Sequence, residues 1–305
     1  MAALSPWLAL LGLPAVLLAA PAAGAVRVVD DTRAVVELAR PAMRIVTLAP
    51  HAAELVFAAG AGERIVGVIK GSDYPPEVRT RPVIGDVAAL DVERIVALAP
   101  DLIVTWPWTT PRQVTALRER GIAVFEADAR SIDAIASDLE RIGRLAGTGD
   151  IAGAAARAFR ARVAAAVRER TAGRAMRVFY EVSDVPLFTL GGTHLVSQAL
   201  TLCGGENVFA RLSIPAPQVS IEAVLAADPQ VIIAGTNDAR RPPWLDAWSK
   251  WPVLAAVRHH ALYTVDANLL HRPGPRFAEG IDALCRTLAN ARLAYASNAS
   301  GEPHQ

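Results

Sequence analysis

The chain has almost no charge imbalance: 31 Lys and Arg against 30 Asp and Glu give a formal net charge of +1. That argues against a nucleic-acid-binding protein, which carries a basic face and a high pI. Local signatures of catalysis are also missing. No G-x-S-x-G elbow, P-loop, H-E-x-x-H or C-x-x-C occurs in the 305 residues. Gly60-x-Gly62 and Gly191-Gly192 do not complete a G-x-G-x-x-G. Beyond the first 26 residues no segment runs long enough without charge to span a bilayer. The six histidines are scattered. His51, His194 and His271 could converge from different loops, but no metal site is expected. Disorder is excluded as well, because 52% of the residues are apolar.

Charge is absent altogether from residues 2–26. Leu8–Leu11 and Ala15–Ala20 form an apolar core, followed by Pro21 and Ala22-Ala-Gly-Ala25. Ala23-x-Ala25 fits a signal-peptidase site, so residues 1–25 are expected to be a signal peptide cut between Ala25 and Val26. A retained membrane anchor is the alternative, since no Lys or Arg precedes the apolar run. The remainder should be a soluble, exported protein. Cysteine is nearly absent too, with only Cys203 and Cys285. In an exported chain an even pair is a candidate disulfide, closing a loop worth on the order of 4–5 kcal/mol on the chain-entropy model; two buried free thiols are the alternative. Neither cysteine sits at the cut, so a lipoprotein anchor is not supported.

What is present is a repeat. Asp91-Val-Glu-Arg-Ile-Val-Ala-Leu-Ala-Pro-Asp-Leu-Ile-Val104 and Ser220-Ile-Glu-Ala-Val-Leu-Ala-Ala-Asp-Pro-Gln-Val-Ile-Ile233 share one pattern. Each starts with an N-cap residue type and a glutamate two residues on, then an apolar-periodic helix, a proline and a buried-strand run. Strands at 44–48, 64–69, 102–105 and 122–126 alternate with helices at 52–59 and 113–120, which implies a mostly parallel sheet. Residues 131–173 hold almost no strand formers. They read as helices, and the one over 151–170 would span about 30 Å. Its arginines, from Arg157 to Arg170, suit a solvated face.

A second lobe begins at 177–182. A loop at 184–192, a helix at 194–202, a strand at 261–265, a loop at 266–275 and a helix at 276–291 follow. Trp244, Trp248 and Trp251 have helical spacing and predict core packing over 244–257. The reading is an α/β chain of two similar lobes, 26–130 and 174–295, joined by a bridge at 131–173. Residues 26–43 read as a lead-in and 296–305 as a frayed tail.

The aromatic content is only 6%, so its placement matters. Tyr74, Trp106, Trp108 and Phe188 fall just past strand ends or in the loops that follow. In open α/β sheets that edge is where ligands sit, and flat aromatics suit a large, partly apolar one. Anchoring of loops to the core is the alternative. Glu93 and Glu222 occupy matching first turns, where an acid opposes the positive end of the helix dipole. The competing reading is a pair of acids that docks on a basic partner.

Ser72-Asp-Tyr-Pro-Pro76, the 90–104 stretch running into Trp106, Cys203-Gly-Gly-Glu-Asn-Val-Phe209, Pro217-Gln-Val-Ser-Ile-Glu222 and Arg272-Pro-Gly-Pro-Arg276 occur in this order. They resemble the cobalamin-binding periplasmic proteins of ABC importers, within the wider class of helical-backbone receptors for cobalamin, haem and ferric siderophores. The resemblance covers nearly all of residues 44–292. It implies two Rossmann-like lobes joined by one long helix, the class III periplasmic binding protein fold, with the ligand in the cleft between them. It implies Tyr74, Trp106 and Phe188 as ligand contacts; Asn268, where the family has an acidic contact, and Arg272 complete the expected ligand-binding set. Glu93 and Glu222 match acids that meet arginines of the membrane permease, and Cys203 and Cys285 match a disulfide pair.

Two family tryptophans appear here as Val87 and Ala216, and an acidic contact falls at Asn268. The pocket therefore loses aromatic area, partly replaced by Trp108. The expected protein is a monomeric receptor that takes cobalamin or another corrinoid as cargo, has no cofactor of its own and is not an enzyme. A haem receptor with Tyr74 or His271 as axial ligand is one alternative, and a siderophore receptor using Arg272 is another. From a different class, an extracytoplasmic enzyme would need a nucleophile and a base converging in the cleft. Mass spectrometry of the exported protein should find Val26 at its N-terminus; a mass that includes residues 1–25 would mean a retained anchor.

Overall fold

A computed structural model of the chain describes residues 24–107, 109, 111–168, 173–237 and 241–300. The expected signal segment up to Ala23, Trp108, Arg170 and the tail from 301 onward lie outside the described residues. The first strands, β1 (Val26–Val29) and β2 (Val35–Leu38), form an antiparallel hairpin where a lead-in was expected. Alternation explains it: Val28, Val36 and Leu38 turn inward, while Val29 and Val35 face solvent.

The first main sheet contains β3 (Ile45–Thr47), β4 (Ile65–Val68), β5 (Leu102–Thr105) and β6 (Ala123–Glu126). All pair in parallel, in the order β4-β3-β5-β6. The crossovers carry α1 (Pro50–Ala58), α2 (Val92–Ala97) and α3 (Pro111–Arg118). Because helices cover the sheet, its central strands are mostly apolar, and every residue of β3 and β5 is buried.

Two antiparallel helices follow, α4 (Ile132–Ala146) and α5 (Gly149–Arg168). Ser131 caps α4 through the Ala134 N–H, and Gly147 ends it at φ 66°, a conformation that favours glycine. The helices approach closely at Gly143, where a Cβ would lie 2.1 Å from that of Ala152. The 20-residue α5 touches α1 and α4 on one side and the final helix, α11, on the other. Its arginines are not merely solvated: Arg160 pairs with Asp133 and Glu140, and Arg162 with Glu279 and Asp282.

The second sheet holds β7 (Met176–Asp184), β8 (Leu187–Thr189), β9 (Gly205–Asn207), β10 (Val231–Thr236) and β11 (Leu262–Asp266). Its order is β11-β10-β7-β8, with β9 also beside β7. β8 returns antiparallel on β7, so a strand stands inside the expected 184–192 loop. The helices here are α6 (Leu195–Leu202), α7 (Ile221–Ala227), α8 (Pro243–Asp246), α9 (Ala255–Arg258), α10 (Ala267–Leu270) and α11 (Phe277–Ser300).

The repeat stretches fold alike. Asp91 accepts from the Arg94 N–H at 2.9 Å, and Ser220 from the Ala223 N–H at 3.2 Å. The tryptophan stretch departs from a single helix. Pro252 cannot continue one, so the segment breaks into short turns. Trp248 is buried and donates to Glu181 at 2.8 Å, whereas Trp251 is 37% exposed. α11 runs to Ser300 because the expected tail lacks a helix breaker there.

Cys203, at the end of α6, is bonded to Cys285 in α11 across 82 positions of sequence. Both are buried. The Cys203→Ala/Cys285→Ala variant should lose about 2–5 kcal/mol of unfolding free energy. Urea denaturation of oxidised wild type and variant measures it; equal midpoints would show that the link adds nothing.

Candidate ligand cleft and its flanking surfaces

The carboxyl ends of the parallel strands of both sheets face one another. β5 runs into Trp106 and Pro107, β6 into 127–130, and β11 into α10 and His271. Between them lies a cavity of about 630 Å³, bordered by Trp106 and Arg130 from the first lobe and by His194, Gln198 and His271 from the second. Gln198 donates to the Arg130 carbonyl at 2.8 Å and joins the lobes at one end. The N-terminal hairpin braces the first wall: Asp30 and Asp31 accept from the backbone N–H groups of Glu126 and Asp128.

An ion network joins the lobes beside this cavity. Glu54, on the buried face of α1, is paired in bidentate fashion by Arg276 at 2.8 and 2.6 Å. Arg272 reaches Asp73 at 2.5 Å and Glu54 at 3.4 Å. Burial pushes the Asp73 carboxyl up, but the hydrogen bond and charge of Arg272, with Arg276 behind it, hold it below the usual range.

The expected site residues are divided by this arrangement. Trp106 lies in the cavity wall, edge-on to His51 with ring centroids 4.9 Å apart. Tyr74 is outside it, 42% exposed, with the Arg276 guanidinium 3.9 Å from its ring centre. It borders a second hollow of about 530 Å³ with Phe57, Glu77 and Glu279. Phe188 sits on β8, bridged to Gln218, and Asn268 donates to the Asn237 carbonyl at 3.4 Å; neither lines the cavity. The Arg272 side chain turns to the ion network. Glu93 and Glu222 are both exposed, one on each lobe. The Glu222 backbone N–H and Ser220 hold its carboxyl below the usual range.

Sequence reasoning passed over Glu54 and weighed His51 and His194 only as part of a converging metal site with His271. Glu54 had a signal: an acid within Pro50-His-Ala-Ala-Glu-Leu-Val-Phe-Ala58 must be buried, and a buried charge needs a partner. Among the described residues no group of three or more His, Cys, Asp or Glu is placed to hold a metal ion. None of the described helices is long and apolar enough to cross a membrane.

The chain belongs to the periplasmic binding protein family, whose model matches residues 45–269. Its fold is that of the class III members. Among its relatives, the vitamin B12-binding protein of Vibrio cholerae serotype O1 is 34% identical over 253 residues, 83% of this chain and 91% of that protein. The crystal structure of a periplasmic vitamin B12 binding protein of Vibrio cholerae matches with a TM-score of 0.76 at 34% identity, covering 83% of this chain and 98% of that one. A periplasmic haem-binding protein from Roseiflexus sp. RS-1 matches with a TM-score of 0.70 at 28% identity, covering 81% and 98%.

The cleft imidazoles are held neutral. Burial, with the Arg272 charge, pushes His51 down to about 3. Burial, with His271 nearby, brings His194 to about 4, and burial brings His271 to about 4 against the opposing pull of Asp266. An unfolded imidazole takes its proton near pH 6.5. Between about pH 6.5 and pH 4 the unfolded chain therefore binds more protons, and stability falls as pH is lowered. The urea midpoint should be lower at pH 5 than at pH 7, and the fall should shrink in a His194→Asn/His271→Phe variant. An equal fall in that variant would mean these rings do not carry the effect.

Proposed function

We propose that this protein captures cobalamin or a related corrinoid between its lobes in the periplasm and delivers it to the permease of an ABC importer. The observation that carries the reading is the cavity between the carboxyl edges of two mostly parallel sheets, the place where open α/β folds bind ligands. The 34% identity to a vitamin B12-binding protein over 83% of the chain supports the choice of cargo. Trp106 packs on the macrocycle. The resemblance also implies Tyr74 and Phe188 as contacts, and Asn268 and Arg272 were expected beside them; these four stand outside the cavity that Trp106 lines, so Trp106 carries the contact in this reading.

The corrinoid is cargo and no bond is made or broken. Residues 26–130 and 174–295 act as the two lobes, with 131–173 as a stiff bridge that keeps closure modest. Glu93 and Glu222 are the feet that meet basic residues of the permease, one on each lobe, so the transporter has purchase on both when the ligand is released. Their exposure at first helical turns suits docking as well as the dipole role. The signal segment directs export and leaves a monomer that starts at Val26.

Titration of the purified protein with cyanocobalamin, haem and a siderophore panel, followed by absorbance and calorimetry, should give saturable binding of cyanocobalamin and a weaker response to the others. Preference for haem or a siderophore would replace the reading. The Glu93→Ala/Glu222→Ala variant should keep its cyanocobalamin affinity and lose uptake in cells. Normal uptake by that variant would rule out the docking role.

A further inference from the structure

We infer that His194 and His271 form a specificity-determining pair that donates two N–H groups to acceptor oxygens of the cleft's ligand and withholds an imidazole lone pair from its metal. A neutral imidazole has one lone pair and one N–H, and whatever occupies the first decides where the second points. His194 is the N-cap of α6, and its Nδ1 accepts the Val196 N–H at 3.1 Å. That contact satisfies one of the orphan donors of the first turn. The ring proton must then sit on Nε2.

His271 is set by Tyr180. The tyrosine is fully buried, and its hydroxyl lies 3.0 Å from His271 Nε2. Among the described residues no other acceptor is found for that hydroxyl. If the histidine donated instead, the hydroxyl hydrogen would be buried without a partner, which is the costlier arrangement. Tyr180 therefore donates, and the His271 proton sits on Nδ1. Burial also raises the tyrosine's proton affinity well above normal, so it stays a donor.

The two rings face the same space. Their centroids are 6.4 Å apart at 84°, and both residues line the 630 Å³ cavity. Among the described residues neither His194 Nε2 nor His271 Nδ1 has a protein partner, and neither is counted with the sealed, unpartnered atoms. Burial keeps both rings uncharged at neutral pH. The nearby Arg130 is answered by Asp128 at 2.7 Å, so no uncompensated cation stands beside them. Two uncharged donors suit the carbonyl oxygens of amides, which do not demand a counter-charge. A corrin ring carries such amides around its edge, whereas a haem edge carries carboxylates. The identity of the acceptor rests on the corrinoid reading; the direction of the two N–H groups does not.

Two-dimensional NMR of ¹⁵N-histidine-labelled protein at pH 7 reads the tautomers directly. The expected result is Nε2–H for His194 and Nδ1–H for His271; the reverse tautomer at either ring overturns the inference. Diaquacobinamide, which has exchangeable axial positions, supplies the second arm. Its visible spectrum should show no imidazole ligation when bound, and a ligation shift that disappears in His194→Asn or His271→Phe would also overturn it. In the third arm, His194→Asn keeps a capping oxygen and loses the Nε2 donor. It should weaken cyanocobalamin binding about two- to tenfold, the loss of one neutral hydrogen bond. The His271→Phe/Tyr180→Phe variant removes the second donor without stranding the hydroxyl and should weaken binding similarly. Unchanged affinity in both variants rejects the pair. A wild-type protein that ignores corrinoids defeats the proposed function, while the tautomers still judge the donor pair on their own.

Discussion

The carboxylate of Glu54 is the constraint around which the lobes are arranged. It lies on the inward face of α1 with 3% of the residue exposed, where an unanswered charge would be intolerable. Its answer comes from the other lobe, 222 residues further along, as a two-pronged contact from Arg276. The same arginine covers the Tyr74 ring, and Arg272 beside it holds Asp73. One acid thereby fixes the segment 271–276 against the loop at 71–76. Removing one member of a buried pair costs about 3–5 kcal/mol, because the other is left stranded. Gly274 lies between these residues, where a Cβ would come within 3.5 Å of both Glu54 and His51.

The cavity follows from that clamp. His271 is the first residue of the clamped segment, so the ion pairs that join the lobes also aim its ring. Trp106 is aimed from the other side, through His51, which is packed beneath it and sealed by burial. α6 supplies the remaining donor. Its far end is bonded to α11 through Cys203, and its near end presents His194. The parts that line the cavity are thus ends of rigid elements, and the clamp sets the distance between them.

Much of the fold was legible in the sequence. Apolar runs such as Leu102-Ile-Val-Thr105 mark buried parallel strands, and the duplicated cap-and-glutamate stretch marks one helix in each lobe. The hairpin at 26–38 was written in its alternating valines, but each strand has only four residues. β8 has three residues and pairs only because β7 extends past its neighbours, a fact of tertiary structure. The tryptophan spacing was real, yet Pro252 overrode it. The site was harder to read. Aromatic residues near strand ends include Trp106, which faces the cavity, and Tyr74, which faces an arginine. Telling them apart needs the position of Arg276, which no local pattern encodes.

The cysteine bond has a topological side as well. It joins positions 82 apart and so closes a covalent ring that contains β9, α7, β10 and β11. The exposed stretch from Arg211 to Ala216 lies inside that ring. A protease that nicks the backbone there separates no fragment, since the two new ends remain tied through sulfur. In a compartment rich in proteases, a single cut in this lobe opens a loop without dismantling the receptor.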